Sequence, residues 1–130
     1  MAPFLIPLLA ASRIASGIGG ICVPRLAAKM LSLPHGPSSV VLTHLVGGRE
    51  LALGTLLYTA WKDKTAEGAR FRELRRALLA IIAVDATEVV TNLTSYAAGE
   101  LSAAGLGVMG GVTMVTLGLE LFSVVCLVEP

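Results

Sequence analysis

The chain has 130 residues, enough for one domain, and only 15% of them are charged while 55% are hydrophobic. Its mean hydropathy is +0.79, and the charged share lies well below the roughly 25% of soluble domains. A net charge of +1 gives no nucleic acid a reason to bind, and the apolar residues run in blocks about as long as a bilayer demands of a helix.

The first apolar block, residues 4–23, predicts a span ended by Pro24. "PFLIPLLAA" has the length of a signal-peptide core, but no Lys or Arg precedes it, so it is expected to stay as a span. The breaker-rich "SLPHGPSS" follows, then a second span over 39–61. Next comes "KDKTAEGARFRELRR", residues 62–76, with six Lys or Arg against two between the first spans. That asymmetry predicts a cytoplasmic basic loop, and with it two cytoplasmic termini. Read more sharply, the loop is an anionic-lipid site. The third and fourth spans cover 77–98 and 103–128, joined by little more than "GELS". The expected fold is all-α: an integral membrane four-helix bundle of antiparallel, up-down topology.

Several smaller features follow from that topology. Cys22 and Cys126 fall on opposite sides of the membrane, so no disulfide joins them. The glycine pairs at 19–20, 47–48 and 110–111 suit close helix packing. The sequon Asn92-Leu93-Thr94 falls in or at the lip of the third span, where glycosylation is not expected. Tyr58, Trp61 and Tyr96 sit near span ends, as an aromatic belt would. No zinc-ligand spacing, phosphate loop, dinucleotide fingerprint or nucleophile elbow is present. With so few histidines in the spans, neither a metal nor a cofactor is called for.

The chemistry lies in charges at mid-depth. Arg13, Arg49, Glu50, Asp85 and Glu88 fall near the centres of their spans, with Glu120 a little below and His44 about a turn and a half outward of Arg49. Each charge costs about 2.5 to 3.5 kcal/mol at a helix centre, so these residues are expected to meet inside the bundle. Helical spacing agrees for three spans. Ala10, Arg13, Ser16, Gly17 and Gly20 share a face; so do Asp85, Glu88 and Asn92, and Thr113, Thr116, Glu120 and Ser123. In the second span Glu50 shares a face with Thr43, Gly47, Gly54 and Tyr58, while Arg49 is turned about 100° away. Either Arg49 points between two helices or the glycine pair distorts the turn.

The acids outnumber the arginines. At least one carboxyl is therefore left to hold a proton in a dry site, beside others that are ionised. That is the arrangement of general acid and general base catalysis. Asp85 and Glu88 are the expected acid and base, with Glu50 orienting Arg49. Arg13, His44, Asn92, Glu120 and Tyr58 are expected around the substrate. The bland alternative is that buried ion pairs only fix helix register.

"GGRELALG", residues 47–54, resembles the Gly-[LVG]-Arg-[DE]-x-x-x-Gly signature of a family of small four-span membrane proteins, domain of unknown function 4267, common in filamentous fungi and also found in bacteria. Arg13, the "VPRLAAKMLSLP" stretch and Asp85 in "AIIAVDA" are similar to further parts of its pattern, with Ser32 where the family has glycine; Glu88 and Glu120 depart from it. The resemblance covers nearly the whole chain. It implies a four-helix bundle with Arg49, Glu50 and Asp85 as marked residues, and a place in fungal secondary metabolism, in an endomembrane such as the endoplasmic reticulum. Three functions follow as expectations. One is a cofactor-free isomerase, cyclase, epoxide-opening or dehydrating enzyme taking a lipophilic substrate from the lipid bilayer. The others are a non-catalytic accessory protein and a proton-coupled transporter subunit, which would have to work as a homodimer.

Overall fold

The computed structural model describes residues 2–33, 36–62 and 67–128. Pro34 and His35 of the breaker stretch and residues 63–66 of the basic stretch lie outside them. The described residues form five helices and no strand: α1 (Ala2–Cys22), α2 (Pro24–Met30), α3 (Pro37–Lys62), α4 (Glu67–Ala97) and α5 (Ala103–Val128). Four of them, α1, α3, α4 and α5, are long and apolar enough to cross a membrane, and read as the spans of a multi-pass membrane protein.

Helix ends follow from local chemistry. Pro24 supplies no backbone N–H and disfavours a helical residue before it, so α1 stops at Cys22 and α2 restarts with Pro24 in its first turn. α4 closes with the Gly99 N–H bonded to the Tyr96 carbonyl and the Glu100 N–H to the Ser95 carbonyl, Gly99 taking a φ of 76°. The Ser102 hydroxyl then accepts from the Gly105 N–H at 3.1 Å and caps α5. α4 reaches back to Glu67, so the part of the basic stretch described is helix, not loop. Its Glu, Ala, Leu and Arg residues are good helix formers, and an existing helix extends at little cost.

α1 packs most extensively on α3, and α4 on α5; the two pairs meet along α3–α4 and more thinly along α1–α5. Glycine makes the first contact close. A Cβ on Gly17 would come within 2.6 Å of the Leu51 backbone nitrogen, and one on Gly20 within 2.9 Å of the Gly47 Cα. Gly54 is equally tight, 2.9 Å from the Ile14 nitrogen. Later residues of α1 thus meet earlier residues of α3. Only one member of each of the first two glycine pairs does this work, since Gly19 and Gly48 face open space; neither Gly110 nor Gly111 is crowded. The apolar core gathers at one end of the bundle. There Ile6, Leu9, Leu57, Leu74, Leu78 and Ile81 bury one another, with Trp61 and Val124 packed against them. Cys22 and Cys126 are both free.

Candidate functional site

Each span delivers polar side chains to the interior on its own helical period. α1 buries Arg13, α3 buries Ser39 and Thr43, α4 buries Asp85 and Asn92, and α5 buries Thr113, Glu120 and Ser123. Arg13 is the hub. Its Nη1 donates to Glu50 Oε2 at 2.7 Å, and its Nη2 donates to Asp85 Oδ2 at 2.5 Å and also to Glu120 Oε1. Glu50 then bridges to the second arginine, its Oε1 accepting from Arg49 Nη2 at 2.7 Å and Nε at 3.2 Å. Arg49 Nη2 also donates to Glu88 Oε2 at 2.6 Å, and the Thr116 hydroxyl donates to Asp85 Oδ2 at 3.2 Å. One continuous network therefore joins all four spans, with four carboxylates on two guanidinium groups.

α3 is unbroken through Gly47 and Gly48, so the choice left open for Arg49 is decided. Its long side chain points between α3 and α4, and is 31% exposed. Arg13 contrasts with it. At 3% exposure and with three carboxylates bound, Arg13 organises the acids rather than offering donors to a ligand.

Beside the network lies a cavity of about 310 Å³, at the end of the bundle opposite the apolar core. Arg13, Arg49, Glu50, Asp85 and Glu88 line it, with Ser12, Ser16 and Thr116 adding hydroxyls, and Met30 and Leu31 bring the α2 end to its rim. Among the described residues Asp85 Oδ1, Glu88 Oε1 and Arg49 Nη1 make no hydrogen bond and are not closed off from solvent. The cavity thus meets a ligand with two acceptors and one cationic donor.

No family model matches this chain, nor does any curated protein or solved structure.

The cluster unites six of the nine expected site residues: Arg13, Arg49, Glu50, Asp85, Glu88 and Glu120. Glu120 does not reach the cavity, however. It is fully buried, and its Oε2 has no hydrogen-bond partner among the described residues. Asn92 lines a second recess, between α3 and α4. His44 is exposed and lines neither space. Tyr58 is 39% exposed, its ring tilted at 41° to that of Trp61 at 6.0 Å with Lys62 above it, while its neighbour Leu57 takes the buried position. A small rotation of α3 about its axis, set by the glycine contacts, turns Leu57 rather than Tyr58 inward. Thr116 joins the site without having been singled out; its place on the Glu120 face of α5 was the only signal.

Proposed function

We propose that the chain is a small integral membrane enzyme moving protons on a lipophilic carbonyl compound, of cofactor-independent isomerase, cyclase or lyase type. The observation that carries this reading is the meeting of Asp85, Glu88 and Arg49 in one cavity where carboxylates outnumber guanidinium groups. Fully ionised, the four acids would exceed the two arginines by two charges in a medium of low dielectric, and bound protons remove that cost. At least one carboxyl then stands protonated beside others that are not. A ligand carbonyl oxygen at Arg49 Nη1 polarises the neighbouring C–H bond. The free oxygen of Glu88 or Asp85 takes that proton and the electron pair passes to the carbonyl oxygen as an enolate held by Arg49; where a C=C bond is conjugated with that enolate, the other carboxyl returns a proton at its far carbon, the C=O bond re-forms and the C=C bond moves into conjugation with it. Nothing is gained or lost overall, so the simplest product is an isomer.

The resemblance to the domain of unknown function 4267 family supports a substrate from secondary metabolism and an endomembrane location. The basic residues flanking α3 and α4 support an up-down bundle with both termini cytoplasmic.

The test follows deuterium uptake next to the carbonyl of long-chain ketones and enones in D2O. The protein should accelerate uptake, and Asp85→Asn and Glu88→Gln should each lower the rate at least ~100-fold while inserting and purifying normally. Wild-type rates in both variants would remove the assignment. A second reading, an accessory protein whose ion pairs bolt two helix pairs together, is favoured by Arg13 holding acids from three other helices at once. It expects Arg49→Leu combined with Glu88→Leu to leave function intact, where the enzyme reading expects its loss.

A further inference from the structure

A second recess, of about 650 Å³, lies between α3 and α4 and extends toward Glu100 and Leu101 in the turn before α5. Arg49 and Glu88 line both this groove and the central cavity, so their ion pair stands on the boundary between them. Within the groove lies Asn92, one helical turn beyond Glu88, or about 6 Å along the axis. Asn92 is 7% exposed, and its amide nitrogen is buried without a hydrogen-bond partner among the described residues. An unpaired buried donor costs about 1–3 kcal/mol, and folded proteins keep few of them. Arg49 Nη1 is the groove's second unengaged donor.

Two donors call for an acceptor oxygen, and the charge balance selects its kind. Acids already exceed guanidinium groups at the inner end of the groove, so a further anion is repelled. A neutral carbonyl satisfies the donors without adding charge. Leu42, Val46, Val84 and Leu101 supply apolar walls for a chain.

We infer that the α3–α4 groove binds an uncharged, bilayer-soluble molecule whose carbonyl oxygen accepts from the Asn92 amide once its side chain turns the buried nitrogen toward the groove, with Arg49 as the inner donor. The site rests on Asn92 and the groove; it shares Arg49 with the acid/base reading, and would be the approach to the central cavity if that reading holds. A free long-chain ketone or ester has this chemistry, and so does the ester carbonyl of a phospholipid.

The full chain in lipid nanodiscs would be photolabelled with three diazirine probes: a long-chain methyl ketone, a phosphatidylcholine and a long-chain sulfonate. Labelled peptides would be mapped by mass spectrometry. The ketone or the phosphatidylcholine should label residues 38–49 and 84–95 saturably, and whichever does so names the source of the carbonyl. Asn92→Leu should weaken that labelling about tenfold, and His44→Ala should leave it unchanged. Leu42→Trp, which fills the groove from an exposed position, should block it in a protein of unchanged helicity. Asp85→Asn, which tests the acid/base reading, should leave it intact. Labelling indifferent to both Asn92→Leu and Leu42→Trp, or equal labelling by the sulfonate, overturns the inference.

Discussion

Ser32 and Gly99 hold the same structural position at the ends of two helices. The Ser32 N–H bonds the Lys29 carbonyl and the Leu33 N–H the Ala28 carbonyl, the pattern that Gly99 and Glu100 repeat after α4. That pattern needs a left-handed residue, and Ser32 adopts a φ of 55°. An L side chain pays roughly 1–2 kcal/mol there, partly offset because glycine is freer when unfolded. Ser32→Gly is therefore expected to stabilise the protein by about 1 kcal/mol, seen as a higher midpoint in a detergent thermal melt. A lower midpoint would mean that the serine hydroxyl has a task of its own. Arg13 makes the opposite kind of prediction. Its two terminal nitrogens serve three carboxylates at once, a fork that a lysine ammonium cannot reproduce. Removing the cation leaves several buried acids facing one another, so Arg13→Leu should cost at least ~3 kcal/mol. Arg13→Lys should recover only part of that in the same melt, and full recovery would show that charge alone matters.

At the scale of helices, the α1–α3 contact sets the depth and rotation of everything else. Gly17, Gly20, Gly47 and Gly54 let the two backbones touch, and that approach brings Glu50 against Arg13. Gly17→Ala or Gly47→Ala should push the helices apart, lowering the melting midpoint and breaking the Arg13–Glu50 bond. Gly19→Ala and Gly48→Ala, which meet nothing within 4 Å, should be harmless. Equal effects from all four would mean that helix propensity, not packing, is being measured. The shared faces of α1, α4 and α5 were legible because a 3.6-residue period places Arg13 beside Gly17, and Asp85 beside Glu88, whatever the neighbours do. The direction of Arg49 was not. It leaves α3 about 100° round from Glu50, and only the reach of its side chain, back to Glu50 and across to Glu88, brings it in. Leu57 and Tyr58 are adjacent, so a few tens of degrees of helix rotation decides which is buried, and that rotation is fixed by contacts with α1. The start of α4 at Glu67 was hidden for another reason: an apolar run marks what a membrane would cover, not where the helix begins.

For the molecule as a whole, polarity is divided along its length. Apolar side chains close one end of the bundle, the charge network crosses its middle, and the cavity occupies the end that holds α2 and the turn at 98–102. That division argues against a through-path, since Leu57, Leu78 and Ile81 are fully buried below the network. It also yields an orientation-sensitive test. In a background lacking Cys22 and Cys126, single cysteines at Ser12, Ser16 and Thr116, which line the cavity, should react with a membrane-impermeant thiol reagent. They should do so from one side of the bilayer only, the side that also modifies a cysteine placed at the exposed turn residue Glu100. Cysteines at Leu57 and Ile81 should be protected from both sides. One-sided reaction of this kind would mark the cavity as blind. Reaction of the cavity positions from both sides would instead require the apolar end to open, and would turn the surplus acids into carriers of protons across the membrane.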